Sequence, residues 1–158
     1  MCFALVSSLT LTALSGRRLV HSYAAVTTSS MQGDIGSQNV LQALSVIAPI
    51  TAVRGNNDKD SWAAVLPERE LVQFGETFVY VIHELAQLDI EPQAAGVSVV
   101  VSGHSHQPLV QERNGVLYVN PGSAGPRRFK LPSAVGELNI VGTSVTSRIV
   151  ELGGRSGA

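Results

Sequence analysis

Short apolar runs alternate with polar tips rich in Gly, Asn and Pro along this chain, a pattern that predicts strands mixed with helices. Residues 38–46 read as a helix leading to a buried strand at 50–53. Residues 70–74 and 77–82 read as two strands joined around Gly75-Glu76. Residues 91–95 close a short helix with Gly96 as its cap. Residues 97–101, Val-Ser-Val-Val-Val, form a β-branched run. Residues 109–112 and 116–119 flank Arg113-Asn114-Gly115, where Asn-Gly marks a tight hairpin turn. Residues 136–141 and 144–152 give two further strands around Gly142-Thr143. The class is α/β, and the late half is antiparallel in character.

Composition narrows the class without changing it. The 158 residues suffice for one core and one domain. Hydrophobic residues make up 44% and charged ones 15%, too apolar for a disordered chain. A formal net charge of -1 carries no nucleic-acid footprint. The single cysteine, Cys2, excludes an internal disulfide. These numbers describe a cytoplasmic domain with no membrane segment, whose oligomeric state stays open. Residues 153–158 read as a disordered tail.

Candidate chemistry sits at the tips. Val99-Val100-Val101-Ser102-Gly103-His104-Ser105-His106 ends a buried-looking strand at a Gly and then offers two imidazoles at i and i+2. The carboxyl edge of strands is where α/β proteins place ligands, and neutral imidazole is the commonest protein metal ligand. Gly33-Asp34 precedes the first helix, Gly55-Asn56-Asn57-Asp58 follows the strand at 50–53, and His83 closes the run at 77–82. Singly, Asp34 also reads as a helix N-cap, Asn56 as a turn residue and His83 as a core histidine. Four such tips in this order argue against accident.

Gly-Asp, then Gly-Asn-x-Asp, then a lone His, then Gly-His-Ser-His resembles the calcineurin-like metallophosphoesterases, and more closely their small prokaryotic phosphodiesterase branch. Asn120-Pro121-Gly122-Ser123 with Pro126-Arg127-Arg128-Phe129 resembles the segment that follows the His pair there. The resemblance runs from about Gly33 to Leu152. It implies a four-layer αββα sandwich of two mixed β-sheets and hydrolysis of phosphodiesters by metal-bound water. It implies two divalent ions sharing Asp34 as a bridge. Asn56, His83 and His104 then complete one ion's shell, and His106 serves the other. Oxygen and nitrogen donors without thiolate suit Mn, Ni, Fe or Zn. Asp58 falls where some relatives place a His that protonates the leaving group, which makes it a catalytic candidate. Family members usually have a Gly beside the lone His, whereas Ile82 and Glu84 flank His83 here.

One family motif is missing. The opening strand of these proteins ends in Asp-x-His, but no Asp precedes Asp34 in this chain and the only His there is His21. Residues 1–14 are apolar and hydroxyl-rich, and could pass for a signal peptide but for the missing basic start. They are too short to span a bilayer. A frame change offers another account. Codons for Ser8 to Ala13 read one base earlier can give Ile-Ser-Asp-Thr-His-Gly, and the same offset at residues 28–32 can give Ile-Ile-His-Ala before Gly33-Asp34. Residues 1–32 are therefore read as an aberrant segment with the first strand lost or replaced, ahead of a metallophosphoesterase domain at 33–152. At most one ion would be well held, strand edges would be exposed, and solubility would be poor.

The remaining conspicuous residues have plainer readings beside the functional ones. Arg127 and Arg128 either clamp a phosphate, Arg127 being the catalytic candidate, or are surface charges beside a Pro turn. Asn120 to Ser123 either line the site or form a turn. Trp62 and Phe74 read as packing, and Lys59-Asp60 as a solvated loop. Two functions follow: a metal-dependent phosphoesterase on small phosphodiester or phosphomonoester substrates, or a non-catalytic module of the same fold, as in a retromer scaffold subunit.

Overall fold

Two five-stranded sheets organise the computed structural model, which describes residues 1–6, 28–125 and 130–152, with side chains omitted at 3–6. The first sheet has strand order β10-β9-β1-β2-β3 and the second β4-β5-β6-β8-β7. In the first, β1 (Cys2–Val6), β2 (Thr28–Gln32) and β3 (Ile50–Val53) run parallel, and β9 (Ala134–Val141) and β10 (Ser144–Glu151) complete it antiparallel. In the second, β5 (Thr77–Ile82), β6 (Val97–Val101) and β8 (Val116–Asn120) are parallel. The antiparallel β4 (Arg69–Phe74) and β7 (Leu109–Arg113) form its edges. Both sheets are thus mixed, as expected.

Alternation decides which side chains face which core. Val79 and Val81 of β5, Val99 and Val101 of β6, and Val119 of β8 pack with Val53, Leu138 and Ile140 of the other sheet. Their neighbours Tyr80, Ile82, Val97 and Val100 face the opposite side, where Leu85, Leu88 and Ile90 cover them. The helix α1 (Gln38–Ser45) lays Val40 and Leu44 against Met31, Ile35 and Val135. Trp62 joins that cluster, and Phe74 packs at the margin of the inter-sheet one, which matches their reading as packing.

Three expectations need correction. The position of the first strand is filled, because Cys2–Val6 pairs with β2 on one side and β9 on the other. No edge is left open there, so the argument for exposed strand edges falls. Among the described residues the outer side of the second sheet carries the short 3₁₀ turn Leu85–Gln87 rather than a helical layer, while a second 3₁₀ turn, Ser61–Val65, puts Trp62 into the cluster around α1. The four-layer αββα description therefore reduces to two mixed sheets with one described α-helix. The expected helix at 91–95 is a single turn, with Ala95 N–H donating to Glu91 O and Val97 N–H to Pro92 O, and with Gly96 at φ +72. That is a helix end without a helix, as so short a nucleus predicts. The hairpin turn between β7 and β8 follows its sequence signal: Asn114 and Gly115 have φ of 51 and 75, the pair of positive values that a two-residue turn of this type requires.

β2 conflicts with its own sequence. It lies between β1 and β3, yet Ser29, Ser30 and Gln32 are fully buried there. Gln32 Nε2 donates to Ser30 Oγ at 2.5 Å, while Gln32 Oε1 is buried with no hydrogen-bond partner. A buried unmet acceptor costs about 1–3 kcal/mol, and replacing both partners of a polar pair by apolar groups removes that cost. The double substitution Ser30→Ala with Gln32→Met should therefore stabilise the protein by about 1 kcal/mol. Urea denaturation of the double variant beside the parent measures this, and a lower midpoint would show that the polar pair belongs in the strand.

Candidate metal centre

Four parallel strands end at one place. β2 ends at Gln32 and delivers Asp34, β3 ends at Val53 and delivers Asn56, β5 delivers His83, and β6 delivers His104 and His106. At this end the sheets are linked by a hydrogen bond from His83 Nδ1 to the carbonyl oxygen of Gln32, at 2.6 Å. A carbonyl can only accept, so the neutral ring carries its proton on Nδ1 and presents a lone pair at Nε2. The Gly103 N–H donates to the His83 carbonyl at 2.9 Å, which docks the Gly-His-Ser-His loop on the same residue.

The lone pair of His83 Nε2 faces two oxygens that only accept, and a ring nitrogen of His104 whose role its tautomer sets. Asn56 Oδ1 lies 2.8 Å away, His104 Nδ1 3.3 Å and Asp34 Oδ1 3.6 Å, and His104 Nδ1 is 3.2 Å from Asn56 Oδ1. Two ligands held at about 2.1 Å from one ion and about 90–110° apart would be roughly 3.0–3.4 Å from each other. The observed spacings bracket that range, so this donor set fits a single divalent ion. Among the described residues no three His, Cys, Asp or Glu side chains make such a group by themselves. The convergence runs through the Asn56 oxygen. On the other side of Asp34, His106 Nε2 is 3.8 Å from Oδ2, which brings two donors toward a second position.

Backbone strain marks the same residues. Among the described non-glycine residues, positive φ occurs at Asp34 (53), His104 (60) and His106 (57), and otherwise only at Asn114 in its hairpin turn. The left-handed region costs an L-residue about 1–2 kcal/mol, and such outliers collect at functional sites. Asp34 is not a helix N-cap, since Ser37 holds that position. Nor is the close approach of the two acidic loops negotiable. A Cβ on Gly55 would fall 2.2 Å from Asp34 N and 2.5 Å from Asp34 Oδ1.

Asp58 was the sequence's candidate for leaving-group chemistry, but its buried carboxylate is surrounded by amides. Oδ1 accepts from Ile35 N at 2.8 Å and Gly36 N at 3.2 Å, and Oδ2 accepts from Gly55 N at 2.9 Å. It braces the Asp34 loop against the Asn56 loop. The residue that sequence reasoning passed over is Asn57. Its Nδ2 donates to Asp34 Oδ2 at 3.0 Å and its backbone N–H to Asp34 Oδ1 at 3.2 Å. Asn120 also proves to be a brace. Its Nδ2 donates to Gly103 O at 2.6 Å and to Ser105 Oγ at 3.1 Å, holding the loop between the two imidazoles. Arg127, Arg128 and the tail at 153–158 lie outside the described residues.

Gly55→Ala should disperse the donor set while leaving both sheets folded. The expected result is loss of Mn²⁺ binding by calorimetry with an unchanged far-ultraviolet dichroism spectrum. Retained binding would mean that the Asp34–Gly55 contact does not define the site.

Comparison with known proteins identifies the family. A model of the calcineurin-like phosphoesterase superfamily domain matches residues 5–141, and so begins within the segment read as aberrant. A probable metallophosphoesterase of Methanothermobacter thermautotrophicus is 30% identical over 128 residues, 77% of this chain and 73% of that protein. Vacuolar protein sorting 29 from Cryptosporidium parvum has the same fold at a TM-score of 0.78 and 22% identity, covering 99% of this chain and 93% of that one. A structure described as a novel archaeal phosphodiesterase aligns at a TM-score of 0.77 and 19% identity, over 95% of this chain and 100% of that one. Proteins of this kind use divalent metal ions. With a domain model spanning most of its length and a donor set of the matching chemistry at its strand ends, the chain belongs to the calcineurin-like phosphoesterase superfamily.

Proposed function

We propose that the protein is a metal-dependent phosphodiesterase of low turnover, acting on small phosphodiesters at the Asp34 centre. The observation that carries this reading is the convergence of Asp34 Oδ1, Asn56 Oδ1, His83 Nε2 and His104 Nδ1, with neighbouring atoms 2.8 to 3.6 Å apart. These four residues would hold one ion, and Asp34 with His106 would contribute to a second. Mn, Ni, Fe and Zn all suit such donors. Divalent ions in this setting polarise a phosphoryl oxygen and acidify water.

The chain's own groups do the positioning. Asn57 holds both carboxylate oxygens of Asp34, and Asp58 fixes the two loops that carry Asp34 and Asn56. Beside Asn56 and His83 opens a cleft of about 440 Å³, bordered by Arg54, Lys59, Asp60, Glu68 and Gln87. It is large enough for the second substituent of a small diester. Its cation Lys59, with Arg54 paired to Glu68 at 2.7 Å, suits a polar or anionic group. The uneven donor count supports low turnover. Residues 1–33 contain no Asp, and their one His is His21, so the described ligands favour one ion over the other. The frame-shifted origin of that segment belongs to this reading, and so does the burial of Ser29, Ser30 and Gln32 in a central strand.

Equilibrium dialysis with Mn²⁺ should give about one tightly held ion per chain. Hydrolysis of bis(p-nitrophenyl) phosphate with added Mn²⁺ or Ni²⁺ should be slow, abolished by Asp34→Asn, and raised at least tenfold when an Asp-x-His is restored after β1. Two tight ions in the parent would overturn the deficit, and no bound ion would overturn the metal centre. Bound metal without turnover, in both the parent and the restored form, would favour the non-catalytic module. The coding DNA decides the frame, since stop codons in the offset frame exclude it.

A further inference from the structure

We infer that Glu84 is a positioning residue for His104, an inference that rests on the metal-centre reading above. His104 turns Nδ1 toward Asn56 Oδ1 and His83 Nε2, and its other nitrogen, Nε2, faces Glu84 Oε1 at 3.7 Å. The two nitrogens of a neutral imidazole are complementary, one a donor and one an acceptor. For Nδ1 to offer a lone pair at the donor cluster, the proton must sit on Nε2. A carboxylate on that side stabilises this tautomer, which is how metal-binding histidines are oriented.

The surroundings aim Glu84 for this task. It directly follows His83, so the strand that supplies one donor also supplies the partner of another. Its backbone is extended, and the 3₁₀ turn Leu85–Gln87 that follows brings Gln87 back onto it. Gln87 N–H donates to the Glu84 carbonyl at 3.0 Å, and Gln87 Nε2 donates to Glu84 Oε2 at 2.9 Å. That second bond occupies one carboxylate oxygen and leaves Oε1 turned to the ring. The separation of 3.7 Å exceeds a direct hydrogen bond. It is closed by a small rotation of two partly exposed side chains or by one bridging water. His104 needs such support more than His83 does, because 42% of its side chain is exposed against 7% for His83. His83 is already locked by Gln32.

The experiment compares the full chain with Glu84→Gln and Glu84→Ala by two readouts. The first is the ¹⁵N shifts of the His104 ring without metal, at a pH where the ring is neutral. The parent should show a larger share of the Nε2-protonated tautomer than Glu84→Ala, in which Nδ1–H turns to Asn56 Oδ1, and Glu84→Gln should fall between the two. The second is calorimetric titration with Mn²⁺ alone. Affinity should fall about tenfold in Glu84→Ala, with partial recovery in Glu84→Gln. In a His104→Ala background the Glu84→Ala change should have no further effect. An unchanged tautomer in Glu84→Ala would overturn the proposal, and so would an equal loss of affinity with or without His104. If the parent binds no Mn²⁺, the metal-centre reading fails, while the tautomer comparison still decides whether Glu84 orients the ring.

Discussion

The hydrogen bond between His83 Nδ1 and the Gln32 carbonyl is the constraint on which the rest depends. It joins the carboxyl ends of two sheets that meet mainly through apolar side chains. It also sets the polarity of the His83 ring, so that Nε2 points a lone pair at the Asn56 and Asp34 oxygens, which are themselves acceptors. Like-for-like facing of this kind is unfavourable without a cation. The fold therefore holds a small region of concentrated negative potential between its sheets, and the positive φ values at Asp34, His104 and His106 are the conformational cost of building it.

Bracing around this region is local and layered. Asp58 gathers three amides from two loops, Asn57 holds the Asp34 carboxylate, and Asn120 holds the Gly103–Ser105 segment. Each brace comes from a strand end other than the one it supports, or from the far side of a tight turn. Side chains at the centre are consequently fixed by the mutual packing of β2, β3, β5, β6 and β8, and not by any one loop. Exposure then grades the donors: Asp34, His83 and His106 are buried, and Asn56 and His104 are the solvent-facing members.

Much of this was legible in the sequence because Asn56, His83 and the His104–His106 pair follow apolar runs and Asp34 precedes a helix. The valine run at 97–101 announced its strand and the loop beyond it, and Asn114-Gly115 announced its hairpin. The braces were not legible. Asp58 looks like any acidic loop residue until Ile35 and Gly36, more than twenty positions earlier, present their amides to it. Asn57 carries no signal beyond that of a turn. The strands β1 and β2 were hidden for opposite reasons. The first sits in a stretch whose composition also suits a leader, and the second, Thr-Ser-Ser-Met-Gln, has almost no strand pattern and is extended because its neighbours require it. The helix expected at 91–95 failed because four or five residues cannot sustain one without a face to bury.

The place of β1 has a consequence for how the molecule is made. It lies between β2 and β9, and β9 begins at Ala134. A chain emerging from the ribosome can offer β1 one neighbour early, but the other only when most of the sequence has been synthesised. Closure of that long loop makes the first sheet a late assembly step, in keeping with slow folding when contacts are distant in sequence. The second sheet, whose strands all fall between residues 69 and 120, has no such wait. Vectorial synthesis would thus finish the imidazole-bearing half first and leave the carboxylate-bearing half to dock onto it.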